Sequence, residues 1–550
     1  MNDKIKVNVM GEEREILPGT TYLELSSDYG TYFNNPIILA KANGEYKELR
    51  DQIYSSCDIE FLDLTEKMAN KVYINGLIYL TIYAFNEAFN SKISLKVRHS
   101  IDKGIYIETN AKIKEEDIIK VTNEMKKIVS QDKEIKRVNA SRLDAIKYFE
   151  NIGNVSKARL MKYNTNTYVT LYKLGNMYNF FFTLMPHSTK ALEKFKLKYL
   201  NDHGFVLLFE TTYMKNGIKE YAHHPQMFEV FKHYQNWAEI MGIGNVSSLN
   251  EKVSKYNIGY LIKIEETLQS NRLLEIARSI YKNRKEKRIV LIAGPSSSGK
   301  TTTAKRLCMY LYSFGIIPKL ISMDNYYLAR DERPKDKNGN IDYESLDALD
   351  LKLFDKQMKE LLEGKEITMP TYNFISGKPE FINKQNLNEN EIIIIEGIHA
   401  LNPRILKNIP REKKVKIYAS PLTGLNLDDN NRISSSDNRL LRRIVRDNKT
   451  RGHTVDDTLR VWDDVRKGEE QYIFPYQDEA DFTFNTALIY EQGVLKTYVE
   501  PLLYSVNSDS QYYEEVKRLL NVLKMFLPIP SEDIPTESIL REFIGGSCFK

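Results

Sequence analysis

Residues 294–301 read Gly294-Pro295-Ser296-Ser297-Ser298-Gly299-Lys300-Thr301, which has the spacing G-x-x-x-x-G-K-T. The apolar run before them, 289–293, predicts a buried strand, and residues 301–311 predict a helix. In such a unit the two glycines allow a tight turn whose N–H groups point at phosphate oxygens, and the N-terminus of the helix favours negative charge. The segment therefore predicts a loop that binds the phosphates of a nucleoside triphosphate.

The side chains of this loop have separate predicted roles. Lys300 is placed for the β- and γ-phosphates, and the hydroxyl of Thr301 is placed for Mg²⁺. The alternative is a Gly/Ser turn before an ordinary helix, which the ordered strand, lysine and hydroxyl disfavour. The remaining residues predicted to bind the nucleotide are Gly294, Ser296, Ser297, Ser298, Gly299 and Thr302.

The bulk composition narrows the class of protein. A chain of 550 residues, 42% hydrophobic and 28% charged, is expected to form several domains. The 79 basic and 74 acidic side chains leave a net charge of +5, too small to indicate nucleic-acid binding by itself. Three cysteines far apart exclude a disulfide framework and a cysteine-rich zinc site. The apolar runs are too short to span a membrane, so we expect a cytoplasmic protein.

Two acidic residues follow predicted strands downstream of the loop. Residues 319–322 predict a strand that ends just before Asp324, and residues 391–395 predict a buried strand that ends in Glu396. Carboxylates at the carboxyl ends of parallel strands lie in the crevice where α/β sheets bind ligands. There Asp324 could accept a proton from an attacking hydroxyl, and both residues could hold Mg²⁺. The alternatives are that Asp324 caps a turn and that Glu396 ends a strand at the surface.

Residues 439–452 are rich in arginine. On a helix, the guanidinium groups at positions three, four and seven apart share one broad face. Planar donors on one face suit contact with phosphate and neutralisation of a transferring phosphoryl group. A solvated or RNA-binding basic helix is the alternative. The arginines that share this face are Arg439, Arg442, Arg443 and Arg446.

The pattern of the whole chain predicts a multidomain protein of α/β and α+β class. Residues 288–500 alternate strand and helix patterns, which predicts a parallel sheet flanked by helices. Residues 241–287 predict an amphipathic helical connector, and residues 501–550 a C-terminal helical extension.

Residues 288–500 resemble the uridine kinase branch of the uridine kinase and phosphoribulokinase family. The likeness lies in segments 322–327, 347–350, 370–374 and 396–398 and in the arginine segment through Gly452. It implies a nucleoside kinase that transfers the γ-phosphate of ATP or GTP to a 5′-hydroxyl, with uridine or cytidine as the preferred acceptor. It also implies Mg²⁺, held by Thr301, Asp324 and Glu396.

The same resemblance implies roles for single residues. Asp324 would be the base for the 5′-hydroxyl, acting with Lys300 at the phosphates. Arg443 and Arg446 would contact the substrate or the transferred phosphate. The other residues implied to bind the substrate are Tyr372 and Phe374, which would flank the base, Glu344 at the ribose, and Arg451 in a closing lid.

Three positions depart from the family pattern. Glu344 stands where the family has an aspartate that grips the ribose, and Gly377 stands where it has a histidine that contacts the pyrimidine. His453 stands where the lid often has a second arginine. The choice of base is therefore left open.

The N-terminal half resembles parts of threonyl-tRNA synthetases. Residues 1–65 resemble the TGS domain, a β-grasp fold, through 17–21 and 42–44. Residues 66–240 resemble the synthetase's second, editing domain, an α+β unit, through 72–89, 97–106 and 189–197. The editing positions are apolar here, which implies a binding or regulatory module for RNA or a small molecule instead of a hydrolase. Those positions are Ile74, Ile78, Phe181 and Met185.

Two alternative functions follow from these resemblances. One is a tRNA- or ribosome-binding regulatory protein with a nucleotide-binding domain. The other is a TGS-containing GTPase, which needs the guanine-reading motif N-K-x-D, whereas residues 383–386 read N-K-Q-N. Assembly into a homo-oligomer is left open.

Overall fold

The computed structural model describes residues 4–549 apart from 213–216, 256–257, 336–338, 340 and 374. The N-terminal unit is built on a mixed sheet of order β2-β1-β7-β4-β5, in which β1 and β7 are parallel. Its helix α1 begins with a capping box between Thr21 and Glu24. The elements are β1 Ile5–Val9, β2 Glu12–Ile16, β3 Thr20–Thr21, α1 Tyr22–Ser26, β4 Ile37–Ala42, β5 Glu45–Glu48, β6 Gln52–Ile53 and β7 Asp58–Asp63.

The second unit places a long buried helix, α2, against two antiparallel sheets of order β13-β14-β9-β8 and β10-β11-β12. Ile78, Phe181 and Met185 are buried in one hydrophobic cluster, and Ile74 packs against it. These positions therefore serve as core. The elements are α2 Lys67–Phe89, β8 Leu95–Ile101, β9 Gly104–Thr109, α3 Glu115–Ser130, β10 Ile135–Ser141, α4 Arg142–Asn151, α5 Val155–Met161, β11 Tyr168–Leu174, β12 Met177–Asn179, β13 Phe195–Asn201 and β14 Gly204–Phe209.

The C-terminal part is built on a wholly parallel sheet of order β16-β19-β15-β20-β21. Its predicted strands and helices are present, and helices α6 to α8 precede it. The elements are α6 Pro225–Ile240, α7 Val246–Ser254, α8 Ile258–Asn283, β15 Ile289–Ala293, α9 Lys300–Ser313, β16 Ile317–Ser322, α10 Leu351–Leu362, β17 Ile367–Asn373, β18 Lys378–Gln385, β19 Glu391–Glu396, β20 Lys414–Ser420, α11 Ser435–Arg451, α12 Val455–Tyr472, β21 Phe482–Asn485, α13 Glu491–Tyr504, α14 Tyr513–Leu523 and α15 Arg541–Ile544.

The three central strands explain the position of the site. β15, β19 and β20 are buried along their whole length, as expected for parallel strands covered on both faces. One face of the sheet shares a hydrophobic cluster with α8, α9, α11, α13, α14 and α15. Since all strands run the same way, the carboxyl ends of β15, β16 and β19 lie at one edge. No helix of the described residues is long and apolar enough to cross a membrane.

Candidate active site

The loop after β15 has the backbone that its sequence predicts. Gly299 has φ of 82° and caps α9, and Ser297 has φ of 57°. A Cβ added at Gly294 would collide with the carbonyl oxygen of Ala419 in β20. The first glycine is therefore required by close packing against the next strand, and the second by a left-handed turn.

Lys300 closes this loop. Its Nζ donates a hydrogen bond to the carbonyl oxygen of Pro295, 3.1 Å away. Burial lowers the pKa of Lys300, and the nearby carboxylates of Glu396 and Asp324 counteract this effect. The ammonium group therefore lies in a shielded cleft that also holds both predicted acidic residues, where it can act strongly on a bound anion.

The loop also contains donors that the protein leaves free. The hydroxyl oxygens of Ser297 and Ser298 are buried, and neither makes a hydrogen bond in the described structure. Buried polar atoms are usually paired, so unpaired ones call for an explanation. Donors of this kind fit a polyphosphate, and Thr301, whose residue is exposed at the start of α9, lies beside them in the chain.

Glu396 ends β19 and Asp324 follows the end of the neighbouring strand β16, as predicted. Glu396 is the last residue of β19 and pairs in register with Ser322 of β16, whose hydroxyl donates to Glu396 Oε1 at 2.9 Å. Asp324 lies in the short turn just after β16. Glu396 is buried, whereas Asp324 is exposed at the mouth of the cleft. Desolvation by the surrounding protein raises the pKa of both carboxyls, and the charge of Asp324 helps to bring the pKa of Glu396 to about 7.

This pair fits a hard divalent cation. The charge of Asp324 raises the pKa of the buried Glu396, so a positive ion between the two carboxylates would stabilise both in their charged forms. Oxygen ligands of this kind suit Mg²⁺. In the described residues, no group of three or more His, Cys, Asp or Glu side chains is arranged to hold a metal alone. A cation bound by Thr301, Asp324 and Glu396 would therefore complete its shell with phosphate oxygens and water, as Mg²⁺ usually does.

Two of the four arginines on the predicted face have structural partners. Arg439 Nη2 donates to Glu469 Oε2 at 2.7 Å, and Arg442 Nη2 lies 2.5 Å from Glu491 Oε2. All four of these side chains are buried. Arg439 also donates to the carbonyl oxygen of Ser296, at 3.1 Å. These two arginines therefore support the phosphate loop structurally. Helical spacing alone does not distinguish this role from direct contact with phosphate.

The other arginines surround one carboxylate. Asp447 lies 3.1 Å from Arg443, 2.8 Å from Arg446 and 3.5 Å from Arg451. Burial alone would raise the pKa of Asp447, but these guanidinium groups hold it below its ordinary value. Arg443 also donates to the Ser296 hydroxyl at 2.9 Å. Sequence reasoning missed Asp447, although its i,i+4 spacing from both Arg443 and Arg451 is the signal for such pairs.

Glu344 packs against α12 and lies close enough to Lys300 and Arg443 for their charges to act on it. A Cβ at Gly468 would collide with the Cβ of Glu344, so this glycine admits the close approach. Burial and the charge of Glu469 raise the pKa of Glu344 to about 7. The carboxyl therefore changes its charge near neutrality.

Of the two aromatic residues predicted to flank the base, the structure describes Tyr372. Tyr372 is buried at the end of β17, and its ring meets that of Tyr327 edge to face at 5.8 Å. Phe374 lies outside the described residues. Gly377 has φ of 71°, so this turn disfavours any side chain there.

A contact from the C-terminal segment was not predicted. Thr302 donates to Glu542 Oε2 from its hydroxyl at 2.6 Å and from its backbone N–H at 3.3 Å. A Cβ at Gly299 would lie 2.5 Å from the Cγ2 of Ile539, so residues around α15 rest directly on the loop. No local sequence signal identifies a contact between residues 240 positions apart.

Comparison with known proteins agrees with this geometry. Residues 289–488 match the model of the Phosphoribulokinase / Uridine kinase family. The match supports a P-loop domain of this family in the C-terminal part of the chain. The uridine kinases of Staphylococcus aureus strains JH9 and Newman are each 29% identical over 221 residues, which cover 40% of this chain and 95% of theirs.

Two solved structures are also similar to part of this chain. A "Possible Uridine Kinase" from Bacillus stearothermophilus is 19% identical over 39% of this chain and 98% of its own, with a TM-score of 0.29. D-glycerate 3-kinase from Cryptococcus neoformans is 12% identical over 48% and 87% of the two chains, with a TM-score of 0.19. The family match and the uridine kinase relatives support a kinase-like phosphotransferase.

Proposed function

We propose that this protein is a nucleoside kinase that transfers the γ-phosphate of ATP or GTP to the 5′-hydroxyl of a nucleoside, with uridine or cytidine as the preferred acceptor. The observation that carries the proposal is that Asp324, in the turn just after β16, lies at the same edge of the sheet as Lys300 of the phosphate loop, close enough for the charge of each to shift the pKa of the other. A carboxylate that can aim a hydroxyl therefore shares one cleft with the ammonium group that would hold the triphosphate. The similarity to uridine kinases supports this reading.

The transfer step follows from this arrangement. As the 5′-oxygen forms its bond to the γ-phosphorus, the bond from that phosphorus to the β,γ-bridging oxygen breaks, and the nucleoside diphosphate leaves. The proton of the 5′-hydroxyl passes to the carboxylate of Asp324. Desolvation in the cleft raises the pKa of Asp324, which makes it a better proton acceptor than an aspartate of ordinary pKa. Orientation of the hydroxyl contributes more than proton abstraction, because even a raised aspartate is a modest base.

Positive charge offsets the developing negative charge of the phosphoryl group. Lys300 and the backbone N–H groups of the phosphate loop bind the β- and γ-phosphates, while Arg443 and Arg446 reach the transferred group. Asp447 fixes these arginines, and Arg451 joins them at the end of α11 as part of a closing lid. When bound, Mg²⁺ supplies further neutralisation of the phosphates, with Thr301, Asp324 and Glu396 as its protein-side ligands.

The acceptor lies on the opposite side of the cleft in this proposal. Tyr372, together with Phe374, stacks on the base, and Glu344 accepts hydrogen bonds from the ribose hydroxyls.

The remaining proposals concern the whole chain. The chain divides into five parts, with boundaries at residues 65, 240, 287 and 500. Residues 1–240 are synthetase-like and bind RNA or a small molecule. The protein assembles into a homo-oligomer and is located in the cytoplasm.

A panel of nucleosides tests the proposal. The full-length protein would be incubated with Mg²⁺, triphosphate labelled at the γ-phosphate and each nucleoside in turn, and labelled monophosphate would be separated and counted. We expect label in uridine or cytidine monophosphate, and none with Lys300→Met, which controls for contaminating kinases. A folded protein that binds triphosphate but labels no nucleoside would refute the proposal.

A further inference from the structure

Arg333 is a buried cation beside the proposed acceptor pocket. It lies nine positions after Asp324, and 6% of its surface is exposed. Its guanidinium carbon lies 4.4 Å from the ring centre of Tyr327 and 4.7 Å from that of Tyr372. A third ring, that of Tyr343, is 5.4 Å away. Three tyrosines therefore hold the guanidinium plane through cation–π contacts.

The hydrogen bonds of Arg333 leave a donor free. Its Nε donates to the carbonyl oxygen of Leu328 at 3.0 Å, which fixes the side chain. Its Nη2 is buried and makes no hydrogen bond in the described structure. Leaving a buried donor of a charged group unpaired is costly, so such an atom points to a ligand that pairs with it.

The neighbours of this donor belong to the acceptor side of the cleft. Tyr372 is the residue proposed to stack on the base, and Tyr327 lies three positions after Asp324. The positive charge of Arg333 also acts to lower the pKa of Asp324, so the two groups lie within electrostatic reach of each other. Gly377 has no side chain that could contact a base. Its carbonyl oxygen accepts a hydrogen bond from the backbone N–H of Arg330, which lies three positions before Arg333.

We propose that Arg333 is a specificity residue, which is held by Tyr327 and Tyr372 and donates a hydrogen bond from Nη2 to a carbonyl oxygen of the base. This inference rests on the proposed nucleoside kinase function. A guanidinium group only donates hydrogen bonds, so it pairs with a ring carbonyl and not with an exocyclic amine. The substrate class is therefore a nucleoside whose base presents a carbonyl oxygen to this edge of the pocket.

The test compares uridine with two analogues, in which hydrogen replaces the carbonyl oxygen at position 2 or at position 4. We expect the full-length protein to lose roughly 10- to 100-fold in kcat/KM with one of them, as for a hydrogen bond to a charged group. In Arg333→Met the kcat/KM for uridine and the kcat/KM for that analogue should be nearly equal, because the donor is gone. Arg460→Met removes an exposed guanidinium on α12 and should keep the full discrimination.

Because each ratio is measured within one variant, a general loss of activity does not affect it. Triphosphate affinity, measured alongside, should stay unchanged in Arg333→Met and so reports a folded protein. Should Met disturb the loop, Arg333→Gln provides a second, polar variant, which should also lose most of the discrimination. If uridine is phosphorylated but both variants discriminate as the unchanged protein does, the inference alone is wrong. If the unchanged protein phosphorylates no nucleoside, the proposed function fails and the inference fails with it.

Discussion

The carboxylate of Glu542 accepts hydrogen bonds from both the backbone N–H and the hydroxyl of Thr302, in the first turn of the helix after the phosphate loop. The N-terminus of that helix favours anions, and its N–H groups are the ones that would bind phosphate. A carboxylate of the protein therefore lies where negative charge of the triphosphate is expected. A bound triphosphate would therefore compete with Glu542 for the same donors.

Glu542→Gln should strengthen triphosphate binding. The amide keeps the shape and can still accept from Thr302, but it no longer repels the phosphates. We expect the dissociation constant, measured by calorimetry, to fall roughly 5- to 30-fold, as for removing one repulsive charge near a partly shielded site. Glu532→Gln, at an exposed position of the same C-terminal segment, is the matched control and should have no effect. Unchanged or weaker binding by Glu542→Gln would contradict this competition.

Glu396 should make the protein less stable as the pH rises. Its pKa of about 7 in the folded protein lies above the ordinary value of 4.5, so the folded state holds the proton more tightly than the unfolded state does. Stability is therefore fullest below about pH 4.5 and falls as the pH rises through 7, by up to roughly 3 kcal/mol.

Glu396→Gln removes this pH dependence. Without Mg²⁺ or nucleotide, thermal unfolding should show a higher Tm for the variant than for the unchanged protein at pH 8, and nearly equal values at pH 5. Glu389→Gln changes an exposed side chain before β19 and should shift neither value. An equal Tm difference at both pH values would show that Glu396 ionises as an ordinary carboxylate.

Asp447→Asn should impair transfer more than binding. The amide cannot hold the guanidinium groups of Arg443, Arg446 and Arg451 as the carboxylate does, so they lose their fixed positions. Since we propose that these groups act mainly on the transferring phosphoryl group, we expect kcat to fall roughly 10- to 100-fold while triphosphate affinity changes little. Asp464→Asn, at an exposed position of α12, is the control. A normal kcat in Asp447→Asn would remove the arginine cluster from the mechanism.

The sequence was sufficient for the parts of the site that depend on local pattern. The strand before Gly294, the left-handed turn at Gly299 and the positions of Asp324 and Glu396 at strand ends all follow from short-range periodicity and backbone freedom. These features are local because strand, turn and helix preferences act over a few residues.

The features that the sequence did not predict depend on distant contacts. Glu469 and Glu491 neutralise Arg439 and Arg442, so half of the predicted arginine face is structural. Glu542 reaches Thr302 only because the last helices share the hydrophobic core of the parallel sheet. Helical spacing identifies residues on one face, but it does not say which carboxylate from another element meets them.

The most direct test of the account is the effect of Asp324→Asn on transfer and binding, measured on the same preparation. Triphosphate affinity should stay within about threefold, while transfer of the γ-phosphate to uridine should fall by roughly 100-fold or more, because the variant lacks the group proposed to orient and deprotonate the hydroxyl. Asp331→Asn, at an exposed position nearby, should transfer normally. Near-normal transfer by Asp324→Asn would contradict the assignment of Asp324 and with it the mechanism.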